Sequence, residues 1–369
     1  GDVYKRQELG GLLLRSEEGN LFPDPRKAFR FFSVWYGVLR RWGFDFVKVD
    51  DQGSLKRFAR NLLPADEAAE EALYGLQAAV NLHLRGLINC MAMSLECAYH
   101  WLASNVARAS DDYAPGDWDR NRKLIRDCLY NALWFSQLVY PDYDMFQTHD
   151  PMGLALALSR AVSGGPVYIT DEVERSDVGL IRRLCLSDGR VLRPDVPALP
   201  TRDTLFRDPC SEPFPLKAFT MAGEAGIVLA LNLYGGEVEV EVRPSDAGLA
   251  RGKYLVYMSV SGRAELIEGD AFLRTVLPEG GGEVFIFAPA VGGFACAGLV
   301  EKFIAPKGVD EVHREEGRAV VVLKEPGEVL AWSEPKVREV TSDGVPCRWR
   351  KDRNFVRAEP EGRRVEFLW

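Results

Sequence analysis

Histidine is nearly absent from this sequence, with four among 369 residues, which argues against a histidine-rich metal centre. The seven cysteines, at 90, 97, 128, 185, 210, 296 and 347, are an odd number with no CxxC pair. They outline neither a disulfide framework nor a zinc site. They read instead as buried free thiols of a reducing, cytoplasmic compartment. No apolar run reaches the ~18 residues that span a bilayer. Positive charge is not in surplus: 46 Lys and Arg against 54 Asp and Glu leave a net charge of −8, so the basic face of a nucleic-acid binder is missing. The opening GDVYKRQ has no initiator methionine and no signal-peptide pattern.

What remains is an ordinary globular composition, 47% apolar, 27% charged and 11% aromatic, in a chain long enough for roughly two domains. In the first half, helical spacing is read over 26–42 (Phe29, Phe32, Trp35, Tyr36, Leu39), 65–84, 119–139, 150–162 and 177–186. Between these lie short apolar runs: FVKVD (46–50), GLINCMAM (86–93), SNVARASDD (104–112), YPDYDMFQ (140–147) and SGGPVYITD (163–171). The alternation predicts an α/β fold, either a barrel or a doubly wound sheet. Acids at the C-terminal ends of most runs favour a (β/α)8 barrel, whose active site is built there, although five strands are countable and a barrel needs eight. Past Pro200 the pattern changes to short β-rich segments divided by Gly, Pro and Asp, which predicts an all-β sandwich. The expected division is therefore a barrel domain over 1–200 and a β-domain over 201–369, packed directly with no linker.

Chemistry concentrates at the strand ends. Lys48 and Asp50 fall on one face of their strand because side chains alternate, and the ammonium can hold the carboxylate ionised. Asp51 alternates away, towards the loop. Taken alone, Asp50 reads at least as well as a turn former or helix cap. RASDDY supplies Arg108, a fork of donors for a polyol or carboxylate, with Asp111 and Asp112 as acids or as caps of the next helix. Two strand-end acids suit the paired carboxylates of glycoside hydrolysis. Asp142, Asp144, His149 and Asp150 offer an equal source of a proton donor. Asp171 ends the last run. Gly164 and Gly165 read as a tight turn or a close backbone approach. Trp101, Tyr113, Trp134 and Tyr143 are sugar-stacking candidates or simply core.

The motifs KVDDQ, RASDDY, PDYDMFQTHDP and RAVSGGPVYITD, in this order over about 125 residues, resemble glycoside hydrolase family 36, in its raffinose synthase, seed-imbibition and archaeal α-galactosidase branch. DGRVLRP and TRDTLFRDP extend the likeness into the β-region. The resemblance implies a (β/α)8 barrel followed by a β-sandwich and a retaining double displacement on terminal α-galactosides. Asp50 would be the nucleophile and Asp112 the acid/base, with Asp111 as its alternative. Lys48, Arg108 and Asp144 would bind the sugar, and Asp142 would form a supporting wall. A retaining pair implies carboxyls ~5–5.5 Å apart and an acid whose pKa is raised. No metal or cofactor is implied, and the partner is a small oligosaccharide. Hydrolysis of raffinose-type sugars, galactosyl transfer of the raffinose synthase type, and a catalytically incompetent carbohydrate-binding fragment are the three outcomes. By family order FVKVD is the fourth barrel strand, so the chain is expected to be N-terminally truncated and to hold strands four to eight.

Overall fold

A computed structural model describes residues 9–369; the opening GDVYKRQ lies outside the described residues. Contacts divide the chain into two compact units. One runs up to Asp111 and includes Trp134–Asp142; the other holds Asp112–Leu133 and Tyr143–Trp369.

The first unit opens with a small antiparallel pair, β1 (Leu13–Arg15) and β2 (Leu21–Pro23). The Asp24 carboxylate accepts from the Arg26 amide and caps the turn that leads into α1 (Ala28–Arg41). Phe32 and Tyr36, one turn apart, are buried on its inner side. Helix α2 (Ala65–His83) starts after Pro64, with Asp66 and Glu67 in its first turn, where they complement the helix dipole. Its inner face is small: a Cβ at Gly75 would lie 2.4 Å from the Phe29 nitrogen and 2.7 Å from the Ala28 Cβ. Only glycine allows the two helices to approach this closely.

Four strands form a parallel sheet in the order β3 (Phe46–Val49), β4 (Gly86–Asn89), β5 (Val106–Arg108) and β6 (Tyr140–Asp142). The register pairs Val49 with Asn89, Asn89 with Ala107, and Arg108 with Asp142, which aligns their C-terminal ends. Helix α3 (Trp118–Phe135) connects β5 to β6. The strand–helix alternation is the expected one, but the strands are shorter than their apolar runs. The fifth expected strand is reduced to one parallel bridge, Phe146 to Ile169. Its sequence explains this: Gly164 takes a left-handed φ of 69°, and Pro166 has no amide to donate to a ladder.

In the second unit, α4 (Gly153–Ala161) is almost wholly buried. The region from Leu199 onward is antiparallel and forms two successive cores where one sandwich was expected. In the first, a six-stranded sheet centred on Ala225–Leu231, Gly282–Pro289 and Gly252–Met258 packs on a two-stranded one. The VEVEV run (Val238–Val242) buries its valines and exposes its glutamates, the period-2 pattern of a half-buried strand. In the second core, a four-stranded and a five-stranded sheet enclose Phe294, Val321 and Phe367. None of the seven cysteines forms a disulfide. No described helix is long and apolar enough to cross a membrane.

Candidate active site

The C-terminal ends of β3, β4 and β5 bring Lys48, Asp50, Cys90 and Arg108 into one electrostatic neighbourhood. Cys90 follows β4 directly, and its amide donates to the Val49 carbonyl at 2.9 Å. Its thiol feels the charges of Arg108 and Lys48, which favour the thiolate, and of Asp50, which opposes it. Burial, the largest influence, pushes its pKa up to about 11. Lys48, Asp50 and Asp51 are exposed. With Gln52, Trp35 and Phe58 they line a cavity of about 540 Å³ at the β3 edge. Val47 and Val49 line it as well, so the cavity wraps around both faces of that edge strand.

The loop after β3 sorts the two acids. Asp51 has a left-handed φ of 57°, its amide donates to Asp50 Oδ1 at 2.8 Å, and its own carboxylate accepts from the Ser54 hydroxyl. Asp51 therefore serves the loop, placed there by its left-handed backbone, although it lines the same cavity as Asp50. Gly53 donates to the Met91 carbonyl at 2.7 Å, and a Cβ on Gly53 would sit 2.7 Å from that same oxygen. Gln52 donates to Val49 O and to Asn89 Oδ1 at 2.9 and 3.1 Å. Asn89 in turn donates to Ser104 Oγ and Val106 O at 2.9 and 3.0 Å. This relay ties the ends of β3 and β4 to the start of β5. Neither Gln52 nor Asn89 was singled out from the sequence, where a polar residue at the end of a strand looks like the start of a loop. Cys90 was read only as a structural thiol.

Arg108 is buried, 3% exposed in its side chain, with Nε 3.7 Å from Oδ2 of the fully buried Asp142. Its Nη1 donates to the Asp111 carbonyl at 3.4 Å, and the Ser110 hydroxyl donates to the same oxygen at 3.0 Å. Asp111 thus contributes its backbone to the turn while its side chain is exposed. Asp112 is exposed too.

In the second unit, Asp144 is fully buried with a left-handed φ of 65°. Its Oδ2 accepts the Tyr113 amide at 2.9 Å and its Oδ1 the Tyr168 hydroxyl at 3.4 Å. Asp150 accepts the Tyr113 hydroxyl at 2.6 Å, the Gly116 amide at 2.8 Å and the Met152 amide at 2.8 Å. Its carboxylate holds backbone instead of facing solvent. Asp171 accepts the Thr148 amide and hydroxyl at 2.6 and 2.7 Å, with His149 Nδ1 3.4 Å away. Burial works to raise the Asp171 pKa, but these hydrogen bonds outweigh it and the pKa lies below the usual carboxylate value. Gly164 takes the tight-turn role, packed against Pro197. Of the aromatic candidates, Trp101, Tyr113 and Tyr143 are buried core residues, while Trp134 is 41% exposed. Among the described residues no group of three or more His, Cys, Asp or Glu is arranged to hold a metal ion.

Residues 15–246 match the family model described as raffinose synthase or seed imbibition protein Sip1. The chain is 30% identical over 382 residues to a galactinol–sucrose galactosyltransferase of Oryza sativa, covering 90% of this chain and 48% of that protein. It is 26% identical over 379 residues to stachyose synthase of Pisum sativum, covering 89% and 44%. The chain thus spans about half the length of the curated relatives it matches. Among solved structures, a GH27 β-L-arabinopyranosidase of Geobacillus stearothermophilus aligns with a TM-score of 0.55 at 16% identity, over 72% of this chain and 62% of that one. That likeness bears on the fold alone. The fold class is α/β, of the (β/α)8-barrel type, with an all-β region after it.

Proposed function

Because the chain belongs to the raffinose synthase and seed imbibition family, we propose that it transfers α-galactosyl groups by a retaining double displacement, with Asp50 as nucleophile and Asp112 as acid/base. The observation that carries this reading is the cavity of about 540 Å³ at the C-terminal end of β3, lined by Lys48 and Asp50. Strand C-termini are where barrel enzymes keep their chemistry.

In the first step an Asp50 carboxylate oxygen bonds to the anomeric carbon of a terminal α-galactoside. The bond from that carbon to the leaving oxygen breaks, and Asp112 delivers a proton to the leaving oxygen. In the second step an acceptor hydroxyl gives its proton to Asp112 and bonds to the anomeric carbon, while the ester to Asp50 breaks. Two inversions leave the α-configuration. Lys48 and Arg108 hold sugar hydroxyls, and Asp111 is the alternative acid. The acceptor decides the outcome: a sugar hydroxyl gives transfer, and water gives hydrolysis. The names of the relatives, galactinol–sucrose galactosyltransferase and stachyose synthase, favour a sugar acceptor over the hydrolysis of raffinose-type sugars.

The test is to incubate the protein with galactinol, with and without sucrose, and to resolve free galactose from trisaccharide by chromatography. Trisaccharide formed only with sucrose supports transfer. Galactose alone in both mixtures reassigns the chain as a hydrolase, and no product in either leaves it as a carbohydrate-binding piece. An Asp50→Ala variant is expected to lose at least ~10³-fold in turnover; wild-type rates from it would remove the nucleophile assignment.

A further inference from the structure

The PDYD motif carries two fully buried carboxylates, and each is directed to a different part of RASDDY. Asp142 lies beside Arg108, and Asp144 accepts the amide of Tyr113, the residue directly after Asp112. The backbone that follows Asp112 is held at several points. Tyr113 N is held by Asp144, and Ala114 N and O are both bound by the buried Asn121 at 3.0 and 2.7 Å. Gly116 N and the Tyr113 hydroxyl are held by Asp150. Asp112 is the exposed residue at the head of this clamped turn.

The clamp is itself anchored. Asp144 adopts a left-handed conformation that a non-glycine residue keeps only when its surroundings over-determine it. Arg160, 1% exposed, supplies those surroundings. Its guanidinium donates to the carbonyls of Tyr143, Asp144 and Met145, that is, to the motif's own backbone. It also lies over the Phe146 ring, 5.1 Å from the centroid. A carboxylate placed this deep, and satisfied by an amide and a phenol, is built to hold protein atoms.

We infer that Asp144 is a positioning residue for Asp112: it binds no galactose hydroxyl, but fixes through the Tyr113 amide where the acid/base carboxyl stands. Arg160 is the anchor of that arrangement. This rests on Asp112 being the acid/base of the proposed reaction. The consequence is selective. A misplaced acid matters most where the leaving group needs its proton, and a displacement of about 1 Å can cost ~10²-fold.

The experiment compares wild type, Asp144→Ala and Asp144→Asn with two donors, 4-nitrophenyl α-galactoside, whose leaving group needs little protonation, and galactinol, whose leaving group needs it. Hydrogen exchange at the Tyr113 amide is read in parallel. In Asp144→Ala the Tyr113 amide should lose protection. Turnover of galactinol should fall by ~10²-fold and formation of nitrophenol by less than ~10-fold. Asp144→Asn keeps an acceptor for the amide and should stay near wild type in exchange and within a few-fold in rate. A raised KM with unchanged kcat on both donors would overturn the inference in favour of sugar binding. Equal loss on both donors, or unchanged exchange at Tyr113, would overturn it as well. If Asp144→Ala does not fold, Asp144→Asn decides: wild-type exchange at Tyr113 with a KM raised on both donors counts against positioning. Absence of turnover in wild type rejects the reaction reading on its own, and the Tyr113 exchange still reports whether Asp144 holds the turn.

Discussion

The Arg108–Asp142 pair allows a quantitative test of how the strand ends are held. Both side chains are almost inaccessible, at 3% and 0% exposure, with Nε and Oδ2 3.7 Å apart. At an effective dielectric of ~20, unit charges at that separation attract by about 4 kcal/mol. Removing either partner takes a buried counter-charge from the other, which costs ~3–5 kcal/mol. Removing both leaves neither charge in the interior. The double variant Arg108→Met/Asp142→Ala should therefore be less damaged than the sum of the single ones, by a coupling of about 2–3 kcal/mol. The assay is urea unfolding of the four proteins, followed by tryptophan fluorescence and compared at equal m. Trp101, buried against Phe135 in the same unit, is a suitable reporter. The coupling should also survive high salt, because a buried pair is poorly screened. Additivity within ~0.5 kcal/mol would refute the reasoning and make the pair a bystander.

Three further outcomes are expected. Gly53→Ala places a methyl group 2.7 Å from the Met91 carbonyl, so urea unfolding should show a loss of ~1–3 kcal/mol; an unchanged midpoint would mean the β3 loop is loosely held. The Cys90 thiol, pushed up to about 11, should resist iodoacetamide at about pH 8 in the folded protein and react once unfolded. Peptide mapping checks this, and labelling as fast as in urea would contradict the burial assigned to it. Asp171 has a folded-state pKa below its unfolded value. Its contribution is therefore complete above the unfolded value of ~3.9 and is lost as pH falls through the folded one. The stability gap between wild type and Asp171→Asn should be open at about pH 6 and close in strong acid; a constant gap would mean that charge is not involved.

The sequence carries periodicity and chain-local chemistry, and the features it revealed are of those two kinds. Of the apolar residues that mark α1, Phe32 and Tyr36 are buried while Phe29 and Trp35 are exposed, and the valines of VEVEV face a core. Strand lengths were less legible. An apolar run such as GLINCMAM or SGGPVYITD records burial, but whether it pairs as a strand depends on a neighbour with free backbone groups. Asn89 ends β4 because its side chain is engaged with β5, a contact 17 residues away in sequence. Burial at Asp144 was equally invisible, since an acid in a polar motif looks exposed until Arg160 and Tyr113 are brought to it. The same limit explains why four acids of the PDYDMFQTHDP and ITD motifs stood as competing candidates. In a sequence they are alike; in the fold Asp142 lies against an arginine, and Asp144, Asp150 and Asp171 accept backbone amides. Asp50 and Asp112, the acids assigned to the proposed reaction, differ from these four in being exposed.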